Sequence, residues 1–121
     1  ERKVYKIDRA EKIIQSATKQ SNQYYLPKIN EAITLLEFIK KNHDGQKFIA
    51  HCEETDKKSF SKEIEKDQTV TILIGPEGDF STKEIKLALE NNFTPVTLGN
   101  TRLRTETAAL VACHTIVLKN E

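Results

Sequence analysis

Thr69-Val70-Thr71-Ile72-Leu73-Ile74-Gly75-Pro76-Glu77-Gly78-Asp79-Phe80-Ser81 is the stretch from which the rest of this chain is read. Its first six residues are rich in β-branched side chains and predict a buried strand over Thr69 to Ile74. Gly75-Pro76-Glu77-Gly78 then stops it. Proline fixes one backbone angle there, and the flanking glycines permit conformations closed to other residues, so a stiff turn poor in side chains is expected. A flat ligand can lie against such a turn, although an ordinary strand-to-helix connection carries the same four residues. Ser81 and Glu84 have the spacing of a capping box, and Ile85, Ala88 and Leu89 mark the inner face of the helix it opens. Asn91-Asn92 closes that helix.

Downstream, Phe93 to Leu98 reads as a second apolar strand, and it also runs into a glycine loop: Gly99-Asn100-Thr101-Arg102-Leu103-Arg104-Thr105-Glu106-Thr107-Ala108. Charge and hydroxyl are dense just before a helix expected from about Thr105 to Leu118. In the plain reading Thr105 caps the helix, Glu106 complements its dipole and the arginines are solvated. In the functional reading two arginines at a strand end suit an anionic or nucleobase substrate. The helix itself is apolar on most sides through Ala108, Ala109, Leu110, Val111, Ala112, Cys113, Ile116, Val117 and Leu118. Such a helix is expected to be enclosed, by a central position and by a partner subunit.

Upstream, Asp8 can cap a first helix with Ala10, Ile13, Ile14 and Ala17 on one face, ending near Gln23. Asn30 starts a second, with Ala32, Leu35, Leu36 and Ile39 inward and Asn42 to Gly45 as its stop. Lys47 to Cys52 suits a short buried strand, and Glu53 to Gln68 reads as a polar surface connection. Helix and strand alternate, so the expected class is α/β, a mostly parallel sheet flanked by helices.

The totals narrow the function. A chain of 121 residues fits one domain with one core. It contains no methionine, so it is expected to begin inside a longer polypeptide or after processing. No apolar run approaches the roughly 20 residues that span a bilayer and no signal-peptide core is present, which predicts a soluble, cytoplasmic protein without a membrane partner. Cys52 and Cys113 form no CxxC pair, and His43, His51 and His114 have no metal spacing; reduced thiols and no metal site are expected. On a strand, adjacent His51 and Cys52 would point in opposite directions. Residues 1 to 30 carry seven basic residues against three acidic ones, a segment able to meet RNA phosphates, though a lysine run is more often a solvated face. Neither Gly-Lys-Ser/Thr nor GxGxxG occurs at the loops, which argues against ATP and NAD.

Ile72 to Gly78 with Phe80-Ser81 and Glu84-Ile85, followed by Leu98-Gly99 and Leu103-Arg104-Thr105-Glu106-Thr107-Ala108, closely resembles the small-subunit ribosomal RNA uridine N3-methyltransferase family, RsmE, of the SPOUT class. Ala17 to Ser21 and Leu26-Pro27 extend the resemblance over nearly the whole chain. It implies an α/β-knot: a trefoil knot near the C-terminus with the last helix threaded through a loop, and a homodimer built on that helix. It also implies that S-adenosylmethionine (SAM) binds with Gly75, Pro76, Glu77 and Gly78 as one wall, Leu98, Gly99, Leu103, Arg104 and Thr107 as the other, and the strand end at His51, Cys52 and Glu53 beside them.

The implied reaction methylates N3 of a uridine in 16S ribosomal RNA within the small ribosomal subunit. That nitrogen is protonated at neutral pH and a poor nucleophile, so the site must remove its proton or stabilise the imide anion. Arg104 is the first candidate for stabilising the anion. Glu106 is a weaker candidate base, because a helix N-terminus favours the carboxylate that has already lost its proton. No metal is required, since the leaving group is already good. Three residues depart from the family pattern: Asp79 follows Gly78 where GPEGG is usual, Arg102 stands where an apolar residue is usual, and Gln23 where a basic one often follows Gln-Ser. The family's N-terminal PUA-like RNA-binding barrel and the first strand of the catalytic domain have no counterpart in these residues. The chain is therefore expected to be a SPOUT methyltransferase domain over 1-121, with a non-catalytic, dimerising RNA-binding fragment as the alternative.

Overall fold

The computed structural model describes residues 7–20, 27–52, 57–99 and 103–121, and falls into two compact units, Glu1–Thr34 and Leu35–Glu121. In the first unit the described helix is α1, Ile7–Gln20, with Asp8 in its first turn. The end expected near Gln23 lies outside the described residues.

The second unit holds α2 (Leu35–Lys40), β1 (Gln46–Ala50), β2 (Lys58–Ser59), α3 (Phe60–Glu63), β3 (Val70–Ile74), α4 (Thr82–Glu90), β4 (Thr94–Thr97) and α5 (Thr105–Lys119). Its four strands form one sheet in the order β2-β4-β1-β3, and every pairing is parallel. Because the strands alternate side chains between faces, β1 and β3 feed two cores at once. Ile49 and Leu73 point to the face covered by α2 and α4, where Ile39, Phe80, Ile85, Ala88 and Phe93 are buried. Phe48, with Ala50, Val70, Ile72 and Ile74, points to the face where Phe60, Ile64, Val96 and Ala112 are buried. The mostly parallel sheet with helices on both faces is thus the architecture expected from the alternation of patterns.

Several local expectations need correction. The second helix begins at Leu35, not Asn30; residues 27–34 are not helical, and Leu36 is exposed while Ile39 is buried. The segment read as a polar surface connection contains β2 and α3, and its Phe60 and Ile64 are core residues. Two apolar side chains among many charges were too weak a pattern to show an element, yet Phe60 stacks edge-on to Phe48 with centroids 5.1 Å apart. Leu89 is exposed, and Leu87 packs on the core instead. The capping box at Ser81 is present in full: Glu84 N donates to Ser81 Oγ at 3.1 Å and Ser81 N donates to Glu84 Oε1 at 2.7 Å. Asn91 and Asn92 end α4, Asn92 with φ 71°.

Among the described residues the last helix is not enclosed. Ala108 and Ala112 are buried, whereas Leu110, Val117 and Leu118 are 71%, 55% and 54% exposed. The small residues let α5 lie close to the sheet, and the larger ones form a stripe facing away from it.

Candidate functional site

Parallel pairing puts the carboxyl ends of β1, β3 and β4 at one edge of the sheet. The register sets Ala50 beside Ile74 on one side and beside Val96 on the other, so the three chains leave the ladder almost level. Loops at such an edge surround a crevice, the usual ligand position in open α/β sheets. A cleft with about 550 Å³ free of protein atoms, partly open to solvent, lies there.

Each wall comes from a strand end. Ala50 ends β1, with His51 and Cys52 after it; Ile74 ends β3, with Gly75, Pro76, Glu77 and Asp79 after it; Val96 and Thr97 end β4, with Leu98 after it; Leu103 precedes α5, and Thr105 and Ala108 belong to its start. Most of these groups are apolar or backbone, with a few hydroxyls and carboxylates set among them, the general make-up of a small-molecule site. The strand expected to reach Cys52 ends at Ala50, so His51, buried, and Cys52, exposed, lie beyond it and both line the cleft.

Side-chain hydrogen bonds join the loops. The Thr105 hydroxyl donates to Gly75 O at 2.8 Å, linking the second loop to the first. The Cys52 amide donates to Asp79 Oδ2 at 2.9 Å, linking the first loop to the end of β1. Asp79 N donates to Pro76 O at 2.8 Å and closes the turn. Within the second loop, Thr97 Oγ1 donates to Gly99 O at 2.6 Å. Thr105 is therefore not the helix cap. Arg104 occupies that position without a side-chain cap bond, and Thr105 is the first helical residue.

The glycines act differently from expectation. Among the described residues Gly45 is the glycine with positive φ, at 78°, while the left-handed position of the first loop is taken by Asp79 at φ 68°. Gly75 serves close packing: a Cβ there would lie 3.1 Å from two atoms of the buried Phe80 ring. A Cβ at Gly78 or Gly99 would meet nothing within 4 Å.

Of the residues singled out in the sequence, Cys52, Gly75, Pro76, Glu77, Leu98 and Leu103 line the cleft. Gly78, Gly99, Arg104, Glu106 and Thr107 lie on the loops and first turn around it, all five exposed to solvent. Glu53 and Arg102 lie outside the described residues. Sequence reading missed Ala50, Ile74, Val96, Thr97 and Ala108 as lining residues; the ends of adjacent parallel strands were the signal for the first four. Asp79 was seen as an added charge, not as a bridge. Among the described residues no cluster of three or more His, Cys, Asp or Glu side chains could hold a metal ion, and no helix is long and apolar enough to cross a membrane.

Residues 1–117 match the description of the RNA methyltransferase domain family. A ribosomal RNA small subunit methyltransferase E of Rickettsia conorii is 34% identical over 111 residues, covering 88% of this chain and 44% of the relative. The crystal structure of a probable rRNA-methyltransferase from Porphyromonas gingivalis superposes with a TM-score of 0.90 at 41% identity, covering 99% of this chain and 52% of that one. A ribosomal RNA small subunit methyltransferase E from Neisseria gonorrhoeae, bound to S-adenosyl methionine, superposes with a TM-score of 0.76 at 29% identity over 92% of this chain and 47% of that one. The chain thus spans about half the length of the relatives it matches.

Proposed function

The chain belongs to the RNA methyltransferase domain family, and from that premise we propose that it is the SAM-binding domain of an enzyme that methylates N3 of a uridine in small-subunit (16S) ribosomal RNA. The observation that carries the reading is the cleft itself, which gathers both glycine loops and the end of β1 at the carboxyl edge of a parallel sheet. A relative of the same fold is solved with this cofactor. The cleft suits it: Ala50, Ile74, Val96, Leu98, Leu103 and Ala108 offer apolar surface to an adenine ring.

SAM supplies an activated methyl group on a sulfonium centre, so the protein's task is to prepare the acceptor nitrogen. Arg104 stands exposed at the start of α5, directly after cleft-lining Leu103, with a guanidinium able to stabilise the imide anion that forms as N3 loses its proton. Glu106, exposed in the first turn of the same helix, is the candidate proton acceptor. Gly75, Pro76, Glu77 and Gly78 would form one cofactor wall, with Leu98, Gly99, Leu103 and Thr107 opposite and Cys52 and Glu53 at the third strand end. The apolar stripe of α5 supports a homodimer formed through that helix. The α/β-knot, the cytoplasmic location and the extent of the domain over 1-121 belong to the same reading.

Titration calorimetry with SAM tests the pocket, on the wild type and on Gly78→Val. Because the added side chain starts in open space, the variant should fold normally and bind at least tenfold more weakly; equal affinities would sink this placement of the cofactor wall. Methylation of small ribosomal subunits by the full-length protein, followed by mass mapping of the modified uridine, tests the reaction. The second reading, a dimerising RNA-binding fragment that does not catalyse, draws on the share of the relatives covered. It predicts that residues 1-121 alone bind SAM and RNA without transferring a methyl group.

A further inference from the structure

The first loop is pinned on both flanks, and one of the pins sits on a residue with left-handed backbone. We propose that Asp79 is a positioning residue of the cleft: its carboxylate, by accepting the Cys52 amide, holds the Gly75-Pro76-Glu77-Gly78 loop against the end of β1 at the separation a bound cofactor needs. The proposal rests on the SAM reading given above.

Three observations carry it. The β1–β3 ladder stops at the Ala50–Ile74 pair, and beyond that pair the Asp79–Cys52 hydrogen bond of 2.9 Å continues the connection between the two chains. Both residues line the cleft, so the bond spans its edge. Asp79 also holds φ at 68°, the left-handed region in which glycine is at ease and, among other residues, chiefly Asn and Asp are found. A position that favours glycine on backbone grounds carries a carboxylate here, and the bond to Cys52 is what the carboxylate adds. On the other flank the Thr105 hydroxyl holds Gly75 O to α5. Removing either pin frees one side of the loop while the turn's own Asp79 N to Pro76 O bond remains.

The test compares wild type, Asp79→Gly and Asp79→Asn in the full-length protein by residue-resolved hydrogen exchange at the Cys52 amide and by SAM calorimetry. Asp79→Gly relieves the backbone and removes the acceptor. It should melt close to the wild type, exchange the Cys52 amide about tenfold faster, and bind SAM about fivefold to tenfold more weakly, the effect of one hydrogen bond. Asparagine tolerates the left-handed region and presents a carbonyl oxygen to the same N–H. Asp79→Asn should therefore restore both readouts to within about twofold of the wild type.

Unchanged Cys52 exchange in Asp79→Gly would overturn the tie, and unchanged affinity would overturn its role in the cleft. An Asp79→Asn protein that protects Cys52 yet binds as poorly as Asp79→Gly would overturn positioning in favour of a direct charge contact. Absence of binding by the wild type would overturn the SAM reading and the cofactor half of this proposal with it. The exchange comparison reads the tie itself with no ligand present.

Discussion

A methyl group at position 75 would sit 3.1 Å from the Phe80 ring, a ring that is itself only 8% exposed. Gly75→Ala is therefore expected to destabilise the protein by about 1–3 kcal/mol in denaturant unfolding, the range for overpacked cores. Gly78→Ala, with open space around the new carbon, should leave stability nearly unchanged. Two glycines three positions apart thus separate into one that packs and one that leaves room. Thr105→Val keeps the shape of its side chain and loses the bond to Gly75 O. A loss of about 1 kcal/mol in stability is expected, together with weaker SAM binding by calorimetry if the two loops are held in register by that hydroxyl. The sequence marks all three positions as unusual, and one of its two readings of Thr105, the helix cap, does not hold. Whether Thr105 caps its own helix or reaches across to another loop is decided by where the other loop lies, 30 residues away in sequence.

At the scale of elements, local chemistry is most reliable where the partner is three or four residues off. The Ser81–Glu84 box closes within one turn, so its spacing alone reveals it. Ser81→Ala should cost about 1 kcal/mol, read as a lower denaturation midpoint at unchanged slope. The segment from Glu53 to Gln68 is the opposite case. Phe60 reaches 1% exposure from a four-residue helix whose remaining residues are Ser, Lys and Glu. No periodicity can form in so short an element. Phe60→Ala is expected to cost about 3–5 kcal/mol in chemical denaturation, far more than the polar setting of this residue suggests. The second helix shows a third pattern: the apolar spacing from Ala32 continues before Leu35, yet the backbone does not follow it.

At the scale of the whole molecule, the parallel sheet does the positioning. Four parallel strands place every carboxyl end on one edge, and the loops after β1, β3 and β4 meet there whatever their order in the chain. The same arrangement leaves α5 with its alanines toward the sheet and Leu110, Val117 and Leu118 toward solvent. Leu110→Glu is expected to convert the proposed dimer into a monomer in size-exclusion chromatography with light scattering. A wild-type chain that is monomeric at all concentrations would contradict the role given to this stripe.

By itself, the sequence determined the α/β class, the strands before each glycine loop, the capped helix between them, and the family. These rest on short-range patterns of burial and capping, or on two loop motifs in fixed order. The tertiary structure decided which residues face the cleft, that Phe60 belongs to the core, that Asp79 and Thr105 tie the loop after β3 to the end of β1 and to the start of α5, and that the apolar stripe of α5 faces outward. Each of these depends on contacts between residues far apart along the chain. Their energy comes from the packing of the sheet against its helices, which no local pattern encodes.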